Sequence, residues 1–325
     1  MANVLEKRTL GSTKLQVSRL CYGTLALGAY HTNLSVDRGA ELLVYAYNAG
    51  INFWDTAELY ETYKHIREAV KRLNNPADLV IASRSFSRTY REMELSILHA
   101  QQSLEMEKLQ IFGLHELEGE EDFEESQGAF QALKEAKQEG IIEHIAITMH
   151  SVKALEIATA QPWVDVVFPL YNIAGLGIKD GSVEDMTAAI QRAREVGKGV
   201  YAMKVLAGGH LVPRTEQCID FALHNDYIDS IAIGMDNTNE IEMNLAIFKK
   251  EHDKVTFYKT KVDQHTRCIQ VDPWCEGCGA CIRICPNDAI TLEFSQAKID
   301  PEKCILCGYC ASACRYFCLK VVNQQ

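Results

Sequence analysis

Eight of the twelve cysteines in this 325-residue chain fall between Cys275 and Cys314. They run Cys275-x2-Cys278-x2-Cys281-x3-Cys285-Pro286 and then Cys304-x2-Cys307-x2-Cys310-x3-Cys314. Each member of the second set lies 29 residues after its counterpart in the first, so the stretch is an internal duplication of sulfur positions. The backbone here must bring eight thiols to shared centres, which leaves little freedom in how it folds.

Three thiolates spaced by two residues curl around one corner of an inorganic cube, while the fourth, set off by three residues, reaches a neighbouring cube. This pattern assigns Cys275, Cys278, Cys281 and Cys314 to one [4Fe-4S] cluster and Cys304, Cys307, Cys310 and Cys285 to a second. A pair of structural zinc sites is the competing reading, but zinc does not need the third closely spaced cysteine or the Cys-Pro ending. A disulfide framework fits poorly, because no secretory signal is read in this sequence and cysteines this dense are then expected to be metal ligands in a reducing compartment. By the same offset Cys268 falls opposite Ala297 and Cys318 opposite Ala289, which predicts small buried residues rather than ligands.

The remainder is large enough for a domain of its own, and 47% hydrophobic residues supply a core. No apolar run reaches membrane-spanning length, and the N-terminus lacks a signal sequence, so a cytoplasmic protein is expected. Oxygen-sensitive clusters would suit an anaerobe. The net charge of −11 argues against nucleic-acid or anionic-membrane partners. From Arg267 onward six basic and six acidic residues cancel, so all of that charge belongs to the preceding part.

Short apolar runs alternate there with amphipathic segments. The runs are 18–23, 52–56, 79–83, 111–114, 142–148, 164–168, 199–203 and 230–234; the helical segments include 36–49, 91–104, 128–139, 183–195, 215–225 and 238–248. Eight such units in about 250 residues close into a barrel, and the first strand carries no glycine-rich fingerprint of an open doubly wound sheet. The expected class is therefore α/β: a (β/α)8 TIM barrel over residues 1–248, opened by a short hairpin. A partly helical connector, 249–266, and a small α+β two-cluster ferredoxin-like domain, 267–325, follow. At under sixty residues, that last domain is expected to need its clusters to fold.

Active sites of such barrels form where strands end. Those positions hold Asp55, Arg84 and His115, with Tyr60 five residues beyond Asp55, a candidate proton-transfer group. Through Asn52-Phe53-Trp54-Asp55-Thr56-Ala57-Glu58-Leu59-Tyr60 and Gly113-Leu114-His115, residues 8 to about 248 resemble the aldo-keto reductase family, and the tail resembles its ferredoxin-fused branch. The resemblance implies that Asp55, Tyr60 and His115 surround a substrate carbonyl and that Tyr60 delivers the proton. Arg84 stands where the family has Lys. It keeps the charge that favours the phenolate and can hold Asp55 bidentately, but it cannot relay a proton.

The family binds a nicotinamide cofactor, and several implied contacts are altered. Thr148-Met149-His150 replaces the usual Ser-Asn, Phe168 the Gln, and Met203, followed by Lys204, the stacking aromatic ring. The helix expected to receive a 2′-phosphate opens Gly234-Met235-Asp236-Asn237-Thr238; Asp236 would repel that phosphate and accept a ribose hydroxyl, favouring NADH over NADPH. Glu242 and Asn244 match the adenine-proximal positions, and Leu206 to His210, beside Lys204, could wrap a phosphate. The acidic run from Glu116 to Glu125 is expected to be an exposed loop beside the site.

The favoured expectation is an iron-sulfur oxidoreductase that reduces a carbonyl or other polarised unsaturated small molecule. Electrons would come from an external ferredoxin- or flavodoxin-type carrier through two clusters, with Tyr60 as proton donor. The alternatives are NADH-driven reduction with accessory clusters, and a non-catalytic electron-carrier subunit.

Overall fold

The structure, a computed structural model, describes residues 4–29, 31–262, 267–316 and 318–323. Eight parallel strands close into a barrel. After a hairpin of β1 (Lys7–Thr9) and β2 (Gln16–Ser18) come β3 (Leu20–Gly23), β4 (Phe53–Asp55), β5 (Val80–Ser85) and β6 (Leu109–Leu117). The circle is completed by β7 (Ile142–Met149), β8 (Val166–Pro169), β9 (Gly199–Ala202) and β10 (Ser230–Gly234), which pairs back onto β3 with Ile231 opposite Leu20.

Period-two alternation sorts the strand residues into two cores. Phe53, Val80, Ile111, Val166, Phe168 and Tyr201 fill the barrel interior. Their neighbours Trp54, Ile81, Phe112, Val167 and Val200 pack outward against the helices. The six expected helices are present with ends shifted by at most two residues. Two more, Tyr63–Arg72 and Val152–Ala160, complete the ring, and His252–Lys259 occupies the connector, whose residues 263–266 lie outside those described. The acidic run is not a loop throughout: Glu116 and Leu117 are still buried in β6, and Glu120–Glu125 forms a short exposed helix.

In the tail, β11 (Arg267–Val271) pairs antiparallel with β14 (Leu319–Asn323), and β12 (Ile290–Glu293) with β13 (Gln296–Ile299). Cys281, Cys310, Cys314 and Cys318 share a small core with Ile290, Ala297 and Leu319. The loop from Cys304 to Tyr309 is wedged into the mouth of the barrel, so that Ile305, Cys307 and Tyr309 belong to the interior core of the barrel. His210 Nε2 lies 2.6 Å from the Cys304 carbonyl oxygen. Gly208, at φ +69°, lies so close to Ile305 that a Cβ there would come within 2.0 Å of the Ile305 carbonyl oxygen; only glycine tolerates both conditions.

Candidate active site

At the carboxyl end of β4 and β5, Arg84 grips Asp55 through two parallel hydrogen bonds, Nη1 to Oδ1 at 2.5 Å and Nη2 to Oδ2 at 3.1 Å. Nη1 also donates to the Thr56 carbonyl oxygen, 2.9 Å, and Nη2 to the Tyr60 hydroxyl oxygen, 2.7 Å. Tyr60 sits on a single helical turn, Glu58–Tyr60. Glu58 anchors that turn by accepting hydrogen bonds from Ser85 and Ser96 at 2.6 and 2.8 Å. Strand ends and one braced turn thus bring together three of the expected residues.

All three are buried, and burial governs their protonation. It pushes the Asp55 carboxyl up against the opposing pull of Arg84 and Tyr201. It also disfavours the Arg84 cation, but Asp55, Tyr60 and Tyr201 outweigh it and hold that cation well above its ordinary pKa. The bidentate geometry is that of a charged pair. Burial raises the Tyr60 phenol while Arg84 acts to lower it; the balance is upward, so the phenol keeps its proton at neutral pH.

His115 lies at the end of β6, where the pairing with β7 slips between Leu114 and Leu117 and Glu116 takes φ +55°. A bulge turns successive side chains to the same face, so both His115 and Glu116 are buried. Arg88 braces the bulge by donating to the carbonyl oxygens of both residues, at 3.2 and 2.8 Å. Glu116 Oε1 lies 3.5 Å from Nε2 of buried His150, and burial pushes the Glu116 carboxyl up to about 7. The His115 imidazole is held well below its ordinary value by burial and by Arg84 and His150, which keeps it neutral.

Two residues of this centre were not among those expected from the sequence. Tyr201, in β9, donates to Asp55 Oδ1 at 3.0 Å and stacks on Phe168 at 3.8 Å. Tyr309, from the tail, lies with its hydroxyl 2.9 Å from His115 Nε2 and also hydrogen-bonds to Tyr60.

A groove open to solvent starts at Asp55, Tyr60 and Arg84 and runs past Phe168, Met203 and Lys204 to Gly234 and Asn244. Lys204, Gly234 and Asn244 are thus in its wall; Asp236, Asn237 and Glu242 are not. Asn237 caps the helix Thr238–Phe248 by accepting from the Glu240 amide and donates its own amide to Asp236, and Glu242 accepts from Tyr45 on the exterior. The carboxyl that faces this end of the groove is Glu240, pushed up to about 7 by burial and by Asp236. His115 is also absent from the wall.

The two carboxyls make the fold sensitive to pH. Each sits at about 7 when folded, against 4.5 for the free group, so the folded state binds these protons more tightly. Their contribution is complete below pH 4.5 and is lost as pH rises through about 7. Urea titrations are therefore expected to show stability falling over that interval, with a shallower fall in Glu116→Gln.

The cysteines gather as their spacing predicts. Cys285, Cys304, Cys307 and Cys310 line one small cavity, and Cys275, Cys278, Cys281 and Cys314 line another. Backbone amides point at sulfurs in both, from Ala289 to Cys285 at 3.3 Å and from Cys318 to Cys314 at 3.3 Å. Thiolates with amide donors at sulfur are the setting of an iron-sulfur cluster. Cys318 is buried as expected, whereas Cys268 is only partly so.

A barrel whose strand ends converge on a phenol, with a cysteine-rich module seated over them, is the build of an oxidoreductase. Residues 19–221 match the model of the aldo/keto reductase family, and residues 274–318 match that of the 4Fe-4S dicluster domain. The chain belongs to the aldo/keto reductase family and carries a C-terminal 4Fe-4S domain.

It is similar to L-galactose dehydrogenase of Arabidopsis thaliana, 23% identical over 74% of this chain and 88% of that one. The tail is similar to polyferredoxin protein MvhB of Methanothermus fervidus, 52% identical over 18% of each chain. In fold the chain resembles the holo form of an aldo-keto reductase from Bacillus halodurans, with a TM-score of 0.63, 19% identity, and coverage of 78% of this chain and 96% of that one. Among the described residues no helix is long and apolar enough to cross a membrane.

Proposed function

We propose that the protein reduces a carbonyl or other polarised unsaturated group on a small molecule, with electrons delivered through two [4Fe-4S] clusters and Tyr60 as proton donor. The observation that carries this reading is the loop between Cys304 and Cys310. Its Leu306 lines the groove and its Tyr309 touches Tyr60, so one cysteine-lined cavity abuts the phenol. When bound, the clusters supply one-electron carriers. The chain does the rest. Asp55 fixes Arg84, and Arg84 directs a charge-assisted hydrogen bond at the Tyr60 oxygen, ready to stabilise the phenolate left when the proton departs. Such a reduction takes up two electrons and two protons. Tyr60 gives one proton, and water along the open groove supplies the other. An external carrier of ferredoxin or flavodoxin type is the fitting electron source.

One observation favours NADH as the donor instead. The far end of the groove retains a dinucleotide-like wall, with the side-chain oxygen of buried Asn244 lacking a partner among the described residues and Lys204 and Gly234 alongside. The near end fits a nicotinamide poorly. The Thr148 hydroxyl already accepts from the Glu116 amide, 2.8 Å, and Phe168 and Met203 offer no side-chain polar group of amide type. An anaerobic titration separates the two readings. Cluster absorption bleached by dithionite and restored by benzaldehyde or cyclohexenone without nucleotide supports the first; tight NADH binding with bleaching, and no such reoxidation, supports the second.

A further inference from the structure

Tyr309 occupies a position that a substrate would be expected to need. A carbonyl oxygen engaging both Tyr60 and His115 must lie within about 2.6–3.2 Å of each. The Tyr309 hydroxyl is already there, 2.9 Å from His115 Nε2 and hydrogen-bonded to Tyr60. Its ring is 3% exposed and boxed in by aromatic neighbours. Phe86 stacks on His115 at 4.0 Å, and Tyr309 meets both rings edge-on, 5.8 Å away. Ile305, four residues before Tyr309, packs closely over Gly177 and Gly208, where a side chain on either glycine would collide with it. The groove reaches Tyr60 past Phe168 and Met203, and neither His115 nor Tyr309 is in its wall.

We propose that Tyr309 is a specificity-determining residue: its hydroxyl fills the position between Tyr60 and His115, excludes a substrate oxygen from it, and confines the reacting molecule to the groove side of Tyr60. His115 is then a positioning residue for Tyr309 and does not touch substrate. The class selected is an unsaturated molecule that lies along the groove and presents its polar end to Tyr60 past Phe168 and Met203. The inference rests on Tyr60 being the proton donor, but it is tested by binding, so it can fail while that role stands, and the reverse.

The test uses cluster-loaded protein and 4-nitrobenzaldehyde as probe, with affinity read by equilibrium dialysis. Tyr309→Ala opens the position and is expected to tighten binding about tenfold, the scale of one or two added hydrogen bonds. Adding His115→Ala to that variant is expected to remove the gain. In otherwise native protein, His115→Ala is expected to leave the affinity within about twofold, since no bond to the probe is lost. Absence of any gain in an iron-replete Tyr309→Ala protein overturns the proposal. Loss of about tenfold on His115→Ala alone also overturns it, because the probe would then already reach that ring. This second comparison decides the matter even if Tyr309→Ala fails to retain iron.

Discussion

Tyr60→Phe is expected to lower turnover about 10²- to 10⁴-fold, the usual worth of a positioned proton donor, while cluster absorption and reduction by dithionite stay unchanged. Phenylalanine keeps the ring that packs edge-on to His115 and lies 5.3 Å from the Arg84 guanidinium, so the site does not collapse. It removes only the hydroxyl, and with it the acceptor of the Arg84 hydrogen bond. Steady-state rates beside an absorption spectrum distinguish an enzyme from an electron carrier. A carrier would pass electrons equally well with phenylalanine, and full turnover in the variant would remove Tyr60 from the chemistry.

The second large effect lies in the pair beneath it. Arg84→Met strands the Asp55 carboxylate in a site where it is 3% exposed, and removing one partner of a buried ion pair costs about 3–5 kcal/mol. The midpoint of denaturant unfolding is expected to fall accordingly. The loss should shrink at low pH, because an unpaired buried carboxylate takes up a proton. Combining Arg84→Met with Asp55→Asn should recover much of the stability but none of the activity. A single variant as stable as the native protein would mean that the pair is not charged. Arg84→Lys keeps the charge but gives up the bidentate fork, so it is expected to fall between.

The parts of this molecule set by spacing could be read directly from the chain. The eight cysteines sort into the two expected cavities because the interval between sulfurs dictates which can share a centre. The eight strands follow from alternating apolar runs, and Asp55, Tyr60 and Arg84 meet because successive strand ends are neighbours in a barrel. What depended on long-range packing was hidden. Tyr201 sits mid-strand and looks like core filler until Asp55 is placed opposite its hydroxyl. Glu116 belonged to an acidic run and gave no hint of burial, because a bulge is a property of two strands rather than of one. Asp236 was expected to face a ribose, but its carboxylate accepts from the side-chain amide of the helix cap Asn237, and Glu240 faces the groove instead.

For Tyr309 a signal did exist. The 29-residue repeat sets Ile305-Leu306 opposite Glu276-Gly277, and Tyr309 opposite Ala280. One copy of the duplication is polar and small where the other is apolar and bulky, which marks the copy that faces a partner surface. Here that surface is the barrel of the same chain.

The wedge of Ile305 to Tyr309 makes the two halves of this protein poor candidates for exchange. Under the function proposed above, grafting a foreign ferredoxin module onto this barrel, or this module onto another reductase, would do more than alter the electron supply. It would take Leu306 out of the groove wall, so exchanging the redox module would also reshape the space offered to a substrate.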